Sequence, residues 1–174
     1  AGRRYRFEDK WLDIDYVVDT LRVARRGLDR DPEALLDTLR LTHWGPILRD
    51  TEAPIAIQWT AHKPNRTVRA LWDMLHALTF DDFQAALRYW DAPMQNILVA
   101  SDDGRVAIRS TGAFPIRQGG TGAGLLDGTT TAGAWTGMIP FEQLPYVENP
   151  AQGYVFSANQ PPVGPSYPYY LGYD

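Results

Sequence analysis

The sequence predicts an α+β fold, and three observations carry that prediction. Strand-like alternation runs through the first forty residues, one compact pair of helices occupies the middle, and a turn-flanked hairpin follows it. Helices gathered into one block between runs of strands, rather than alternating with them, belong to α+β architecture.

In chain order, Ile14, Tyr16 and Val18 fall on one face of a strand, and Val17, Leu21 and Val23 on the other. Arg25-Arg26-Gly27 and Asp29-Arg30-Asp31-Pro32 read as polar turns. Glu33, Ala34, Leu35, Leu36 and Leu39 suit a helix, whereas Leu39 and Leu41 between Thr38, Arg40 and Thr42 suit a strand. The second half of that segment is assigned as strand. Pro54 to Ala61 alternates and is read as another strand. Thr67 to Leu78 places Val68, Leu71, Leu75 and Leu78 at helical spacing. Thr79 then opens a second helix as N-cap, with Asp82 three residues on as the capping-box acid. Phe80, Phe83, Ala86, Leu87 and Trp90 form its apolar stripe, which ends near Asp91-Ala92-Pro93 and reads as core. Gln95–Ala100 and Arg105–Ser110 flank Ser101-Asp102-Asp103-Gly104, a strong hairpin signal. Residues 112–137 carry eight glycines and read as a long loop, and Gly153 to Ala158 as a last short strand before a Pro/Tyr-rich tail.

Composition narrows the function classes. The 174 residues suit one segment without an internal boundary, and 44% hydrophobic residues exclude disorder as a description of the whole. The absence of cysteine excludes disulfides, thiolate metal sites and a cysteine nucleophile. A net charge of −4 argues against a nucleic-acid partner, and no apolar run approaches the ~18 residues of a membrane span. Ala1-Gly2-Arg3-Arg4 has neither an initiator Met nor an apolar signal core, so the chain reads as a piece of something longer.

Self-contained catalysis is poorly supported. None of the four serines sits in a nucleophile elbow, and His62 and His76 lack the spacing of a helical zinc pair, so the histidines are read as structural. The acidic turn at residues 101–104 lacks the spaced oxygen ligands of a calcium loop. One segment stands apart. Trp135-Thr136-Gly137-Met138-Ile139-Pro140-Phe141-Glu142 is followed by Asn149-Pro150-Ala151-Gln152-Gly153-Tyr154 and, five residues on, by Asn159. An asparagine NH2 aimed by rigid backbone at one point is what an oxyanion hole requires. On the residues alone, a turn-stabilising asparagine remains the simpler reading.

These stretches, with Tyr167-Pro168-Tyr169, resemble the β-subunit of the penicillin acylase (penicillin amidase) family. Thr42-His43-Trp44-Gly45-Pro46, Ala92-Pro93-Met94-Gln95-Asn96, Asp103-Gly104 and Gly112-Ala113-Phe114-Pro115-Ile116-Arg117 follow in family order. The similarity covers nearly the whole chain. It implies part of an αββα N-terminal nucleophile hydrolase, whose precursor cuts itself to make a serine the first residue of the β-subunit. By resemblance Asn159 matches the asparagine that helps hold the tetrahedral oxyanion, and Gln95, Leu71 and Trp72 fall where relatives line the acyl pocket. Some relatives bind calcium, but the acidic ligands are not evident in this segment and no cofactor is expected. The resemblance further implies a periplasmic or secreted parent, a small N-acyl amide substrate, and the α-subunit and rest of the β-subunit as partners.

The sequence departs from the family at its ends. Ala1 has no hydroxyl, and the residues after it do not resemble those after the family serine. The nucleophile is therefore expected outside this chain, and the isolated chain is expected to be inactive. The alternative is a non-catalytic binding or structural module that retains the fold.

Overall fold

The computed structural model describes residues 3–23, 33–49 and 53–171. Its contacts divide the chain into two compact units, Ala1–Trp59 with Gly128–Thr131 and Thr60–Asp127 with Ala132–Asp174.

The first unit is built of strands. β1 (Arg4–Phe7) and β2 (Lys10–Asp13) form an antiparallel pair, and β3 (Asp15–Val23), β4 (Glu33–Thr42), β5 (Gly45–Arg49) and β6 (Ile55–Ala56) follow one another across a four-stranded sheet. β3 and β4 pair over nine positions, from Asp15↔Leu41 to Val23↔Glu33. That ladder overrides the helix preference of Glu33-Ala34-Leu35-Leu36, so the whole segment is strand and not only its second half. The strand expected over Pro54–Ala61 shrinks to Ile55–Ala56. Its partner offers pairing only at Ile47 and Arg49, and the chain turns into a 3-10 turn at Thr60–His62. The polar turns at residues 25–27 and 29–32 lie outside the described residues.

Thr42-His43-Trp44-Gly45 is the turn between β4 and β5. The Thr42 hydroxyl donates to Gly45 O at 3.0 Å and accepts from Trp44 N at 3.2 Å. His43 lies among the rings of Tyr5, Phe7 and Trp44, 4.1–5.6 Å between centroids. The Tyr5 hydroxyl accepts the His43 backbone N–H at 2.9 Å and is hydrogen-bonded to Nδ1, also at 2.9 Å. Desolvation pulls the His43 pKa down. His43 is a structural residue of this turn.

The second unit carries α1 (Thr67–Leu75), α2 (Phe80–Ala86) with a 3-10 turn at Leu87–Tyr89, and five strands. These are β7 (Gln95–Ala100), β8 (Val106–Thr111), β9 (Pro115–Arg117), β10 (Trp135–Met138) and β11 (Tyr146–Glu148). β8 is the middle strand of an antiparallel sheet ordered β11-β8-β7, and β9 pairs with β10. The expected hairpin is present in its expected place, with Gly104 at φ 88. The capping box is complete: Thr79 accepts from Asp82 N, and the Asp82 carboxylate accepts from Thr79 N. Phe80, Ala86 and Leu87 are buried as the stripe predicts, with Phe83 and Trp90 half-buried.

Three expectations need correction. The glycine-rich stretch 112–137 is not one loop, because β9 and the start of β10 pair across it. The last strand is β11, not Gly153–Ala158: residues 154–158 alternate in sequence yet join no ladder. α1 ends at Leu75, short of the expected Leu78, and its Val68, Leu71 and Leu75 face outward, at 79%, 45% and 81% exposure. The helix packs through Ala70 instead, which is fully buried.

Candidate functional site

All four residues singled out for chemistry lie in the second unit, and two sets of hydrogen bonds connect the elements that carry them.

The first set joins α1 to the chain entering β7. Arg66, at the N-cap of α1, makes no side-chain cap of its own, and Asp91 supplies one from 25 residues away. Its carboxylate accepts the Arg66 backbone N–H at 2.7 Å and the guanidinium at 2.9 and 3.1 Å. An acid at a helix N-terminus satisfies an orphan N–H and meets the positive end of the dipole. Hydrogen bonding to Arg66 holds the Asp91 carboxyl below its usual pKa, against the opposing effect of partial burial. Beside it the Thr67 hydroxyl donates to Ala92 O at 2.8 Å and accepts from Asp91 N and Ala92 N at 3.2 and 3.1 Å. One donor and two acceptors exhaust a hydroxyl. The base of the helix that bears Leu71 and Trp72 is thereby fixed to the segment that leads into Gln95.

The second set joins β7 and β8 to the segment before Asn159. Asn96 stands directly opposite Ser110 in the hairpin register. The Ser110 hydroxyl, in a residue only 4% exposed, donates to Asn96 Oδ1 at 2.7 Å, and Asn96 Nδ2 donates to Ser157 Oγ at 3.1 Å. Residues 153–155 run beside the hairpin, lining a shallow groove with Leu98, Val99, Ala100 and Val106. The Gly153 N–H closes the preceding turn on Pro150 O at 2.8 Å. Asn149 anchors the other end of that turn, exchanging backbone and side-chain bonds with Val106 at 2.8 and 2.9 Å.

Asn159 is exposed and has φ 58, the left-handed region that costs a non-glycine residue energy. The Gln160 side chain reaches back to the Ala158 N–H at 2.7 Å and braces the backbone around it. The Asn159 carboxamide is hydrogen-bonded to no other described residue. Gln95 opens β7 opposite Thr111, whose hydroxyl donates to the Gln95 carbonyl at 3.1 Å, while the Gln95 side chain is exposed. Trp72 is 63% exposed and packs its ring 4.3 Å from that of His76. The side chains of Asn159, Gln95, Leu71 and Trp72 make no hydrogen bond or ring contact with one another. What connects the elements that carry them is the two sets of hydrogen bonds just described.

Around this frame the remaining motif residues pack. Gly112, at φ 143, leaves room for Met94: a Cβ there would lie 2.7 Å from Met94 Cγ. Met94 packs on the buried cluster of Phe114, Ile139 and Leu144. Phe141 receives the guanidinium groups of Arg88 and Arg109 at 4.6 and 4.5 Å, and Arg88 pairs with Glu142. Tyr167 and Tyr169 donate to the backbone and side-chain carbonyls of Gln143, each at 2.6 Å. Burial and the bond to Glu148 push the Tyr146 hydroxyl up to about 12. Asn96, Ser110, Ser157 and Asn159 are neutral groups, and no titratable side chain is hydrogen-bonded to them among the described residues. No group of three or more acidic or histidine side chains converges among the described residues.

Asn96, Ser110, Ser157 and Gln160 were given no role from sequence. For the first two a signal exists. The Asp103-Gly104 turn fixes the hairpin register, and that register places an asparagine against a serine in strands otherwise rich in apolar residues. For Ser157, 61 residues from Asn96, there is none.

Comparison with known proteins bears on the whole chain. A family model described as penicillin amidase matches residues 1–174. Penicillin G acylase of Escherichia coli is 37% identical over 67 residues, 38% of this chain and 8% of that protein. The structure of a thermostable penicillin G acylase from Alcaligenes faecalis superposes with a TM-score of 0.71 at 20% identity. The superposition covers 98% of this chain and 31% of that one, so the chain spans under a third of the structure it matches. The shared fold is the α+β architecture of that acylase, and α+β is the class expected from sequence.

Proposed function

The chain belongs to the penicillin amidase family, and on that premise we propose that it is an internal β-subunit segment of an amidohydrolase that cleaves N-acyl amides. In this reading a serine at the start of the β-subunit, outside these residues, adds to the amide carbonyl. The carbonyl oxygen becomes a tetrahedral oxyanion, and the Asn159 NH2 donates a hydrogen bond to it. Leu71 and Trp72, on the open face of α1, and Gln95, at the head of β7, contribute one wall of the acyl pocket. Gln95 there would hydrogen-bond a polar acyl group or narrow the site. The remainder of the same precursor supplies the attacking atom and the other walls.

The observation that supports this reading is Asn159 itself. Its carboxamide is exposed and unengaged, on a left-handed turn braced by Gln160. A donor held in place before charge develops needs no reorganisation as the oxyanion forms, which is the source of its catalytic effect.

The test is Asn159→Ala in the full-length protein, assayed on a chromogenic phenylacetyl amide. Loss of one oxyanion donor lowers kcat by ~10²–10³ with little change in KM. Unchanged kcat would remove the role assigned to Asn159. Turnover by the pure 174-residue chain, with no partner chain found by mass spectrometry, would overturn the division of labour. Acyl-amide binding without turnover by the full-length protein would favour the non-catalytic module.

A further inference from the structure

We propose that Asn96 is a positioning residue for Asn159, acting through Ser157; this rests on the oxyanion role assigned to Asn159 above. The argument begins with what residues 154–158 lack. They join no strand ladder, and Tyr154 and Phe156 are 58% and 57% exposed, so neither backbone pairing nor burial of these rings fixes their path. The side-chain bond that ties this stretch to the β7–β8 hairpin is Asn96 Nδ2 to Ser157 Oγ.

The anchor is rigid where it needs to be. Asn96 and Ser110 face each other across a six-pair ladder, and Ser110 is buried. Its hydroxyl holds Asn96 Oδ1 at 2.7 Å, which orients the planar amide so that Nδ2 is directed at Ser157. Two residues further on, Asn159 occupies its left-handed conformation. A strained non-glycine backbone of this kind persists when its surroundings over-determine it. Here the constraints lie on both sides: Asn96 holds the chain before the turn, and Gln160 closes on Ala158 N within it. Two residues reach at most ~7 Å, so releasing Ser157 moves the base from which Asn159 projects. A displacement of about 1 Å at a catalytic group can cost ~10²-fold in rate.

The anchor is made of neutral groups, and this separates it from an electrostatic role. Removing it changes the rate without shifting the pH profile.

The experiment uses the full-length protein and four variants: Ser157→Ala, Ser157→Thr, Asn96→Leu and the double variant Asn96→Leu/Asn159→Ala. Ser157→Ala and Asn96→Leu are expected to lower kcat about 10- to 100-fold, with KM within about threefold and an unmoved pH profile. Ser157→Thr, which keeps the hydroxyl, restores most of the rate. The double variant is no slower than Asn159→Ala alone, because both changes remove one interaction. Thermal denaturation accompanies each, and if Asn96→Leu fails to fold, Ser157→Ala carries the test from the other end of the same bond. Wild-type kcat in Ser157→Ala, or a double variant slower by the product of the two single effects, overturns the proposal while leaving the oxyanion reading intact. If Asn159→Ala proves neutral, the oxyanion reading falls, and a crystal structure of Ser157→Ala decides the rest. A shifted turn at residues 157–160 sustains the anchor, and an unmoved turn overturns it.

Discussion

Asp15–Val23 and Glu33–Thr42 pair over nine positions without one buried side chain, whereas Gln95–Ala100 and Val106–Thr111 pair over six, with Ala107 and Thr111 completely buried. The contrast extends to the units that hold them. Every buried residue among those described, from Thr60 to Leu144, lies in the second unit. The long ribbon even sets Asp19 directly against Asp37, where like charges repel, while the short hairpin sets Asn96 against Ser110 and bonds them. Ladder length is therefore a poor guide to where a chain is rigid. Within its four-stranded sheet β4 meets β5 only at Leu41 and Thr42, so over most of its length the β3–β4 pair runs as a two-stranded ribbon, for which marginal stability is the ordinary condition. The residues assigned to chemistry lie in the unit that holds the hairpin.

Four measurements probe that divide. In hydrogen exchange, amides of β7 and β8 should be slower than those of β3 and β4 by on the order of a hundredfold or more, since ribbon amides exchange through local opening. Equal protection would mean that something beyond the ladder secures the ribbon. Leu87→Ala, at a residue 1% exposed, should destabilise the chain by about 2–5 kcal/mol in denaturant unfolding. Leu39→Ala, at a residue 42% exposed, should cost under about 1 kcal/mol.

The third measurement uses acid. The Asp91 carboxyl has a lowered pKa in the folded chain, so its contribution is complete above its unfolded value near 4 and is lost as pH falls through the lower, folded one. Since Arg66 is 57% exposed, solvent screens the pair and the contribution is about 1 kcal/mol. Asp91→Asn should flatten the pH dependence of stability below pH 4 and leave it unchanged near neutrality. An identical acid profile in the variant would show that the pair contributes nothing. The smallest effect belongs to the ribbon: Asp37→Thr should stabilise it by roughly 0.2–1 kcal/mol by relieving the opposed charges. A loss of stability on that substitution would show that Asp37 has a partner the ribbon needs.

The parts legible in sequence were those fixed by local chemistry. Asp103-Gly104 marked the hairpin and Thr79 with Asp82 marked the start of α2, because a turn and a cap are each decided within four residues. Periodicity was less informative. It grouped Val68, Leu71 and Leu75 on one face of α1 correctly, although Leu78 lies beyond the helix, yet it cannot say whether that face is covered, and here it is open. It likewise suggested a strand at residues 153–158, where β11 supplies the third strand instead. Glu33-Ala34-Leu35-Leu36 was ambiguous because its strand state is imposed by β3. The candidate site was legible only through the family resemblance. No local pattern distinguishes Asn159 from a turn asparagine, and the bond that anchors its segment spans 61 residues.

The joint between Arg66-Thr67 and Asp91-Ala92 has a consequence in chain topology. It closes a loop of about 25 residues, and both α-helices lie inside it. Closure entropy grows only with the logarithm of loop length, so doubling the enclosed chain would cost about 0.6 kcal/mol. The short link between α1 and α2 can therefore be lengthened cheaply, as long as the knot of bonds at the loop's neck is left alone. The helical pair behaves as a drawstring pouch, in which the cord, and not the size of the bag, keeps the mouth shut at the head of β7.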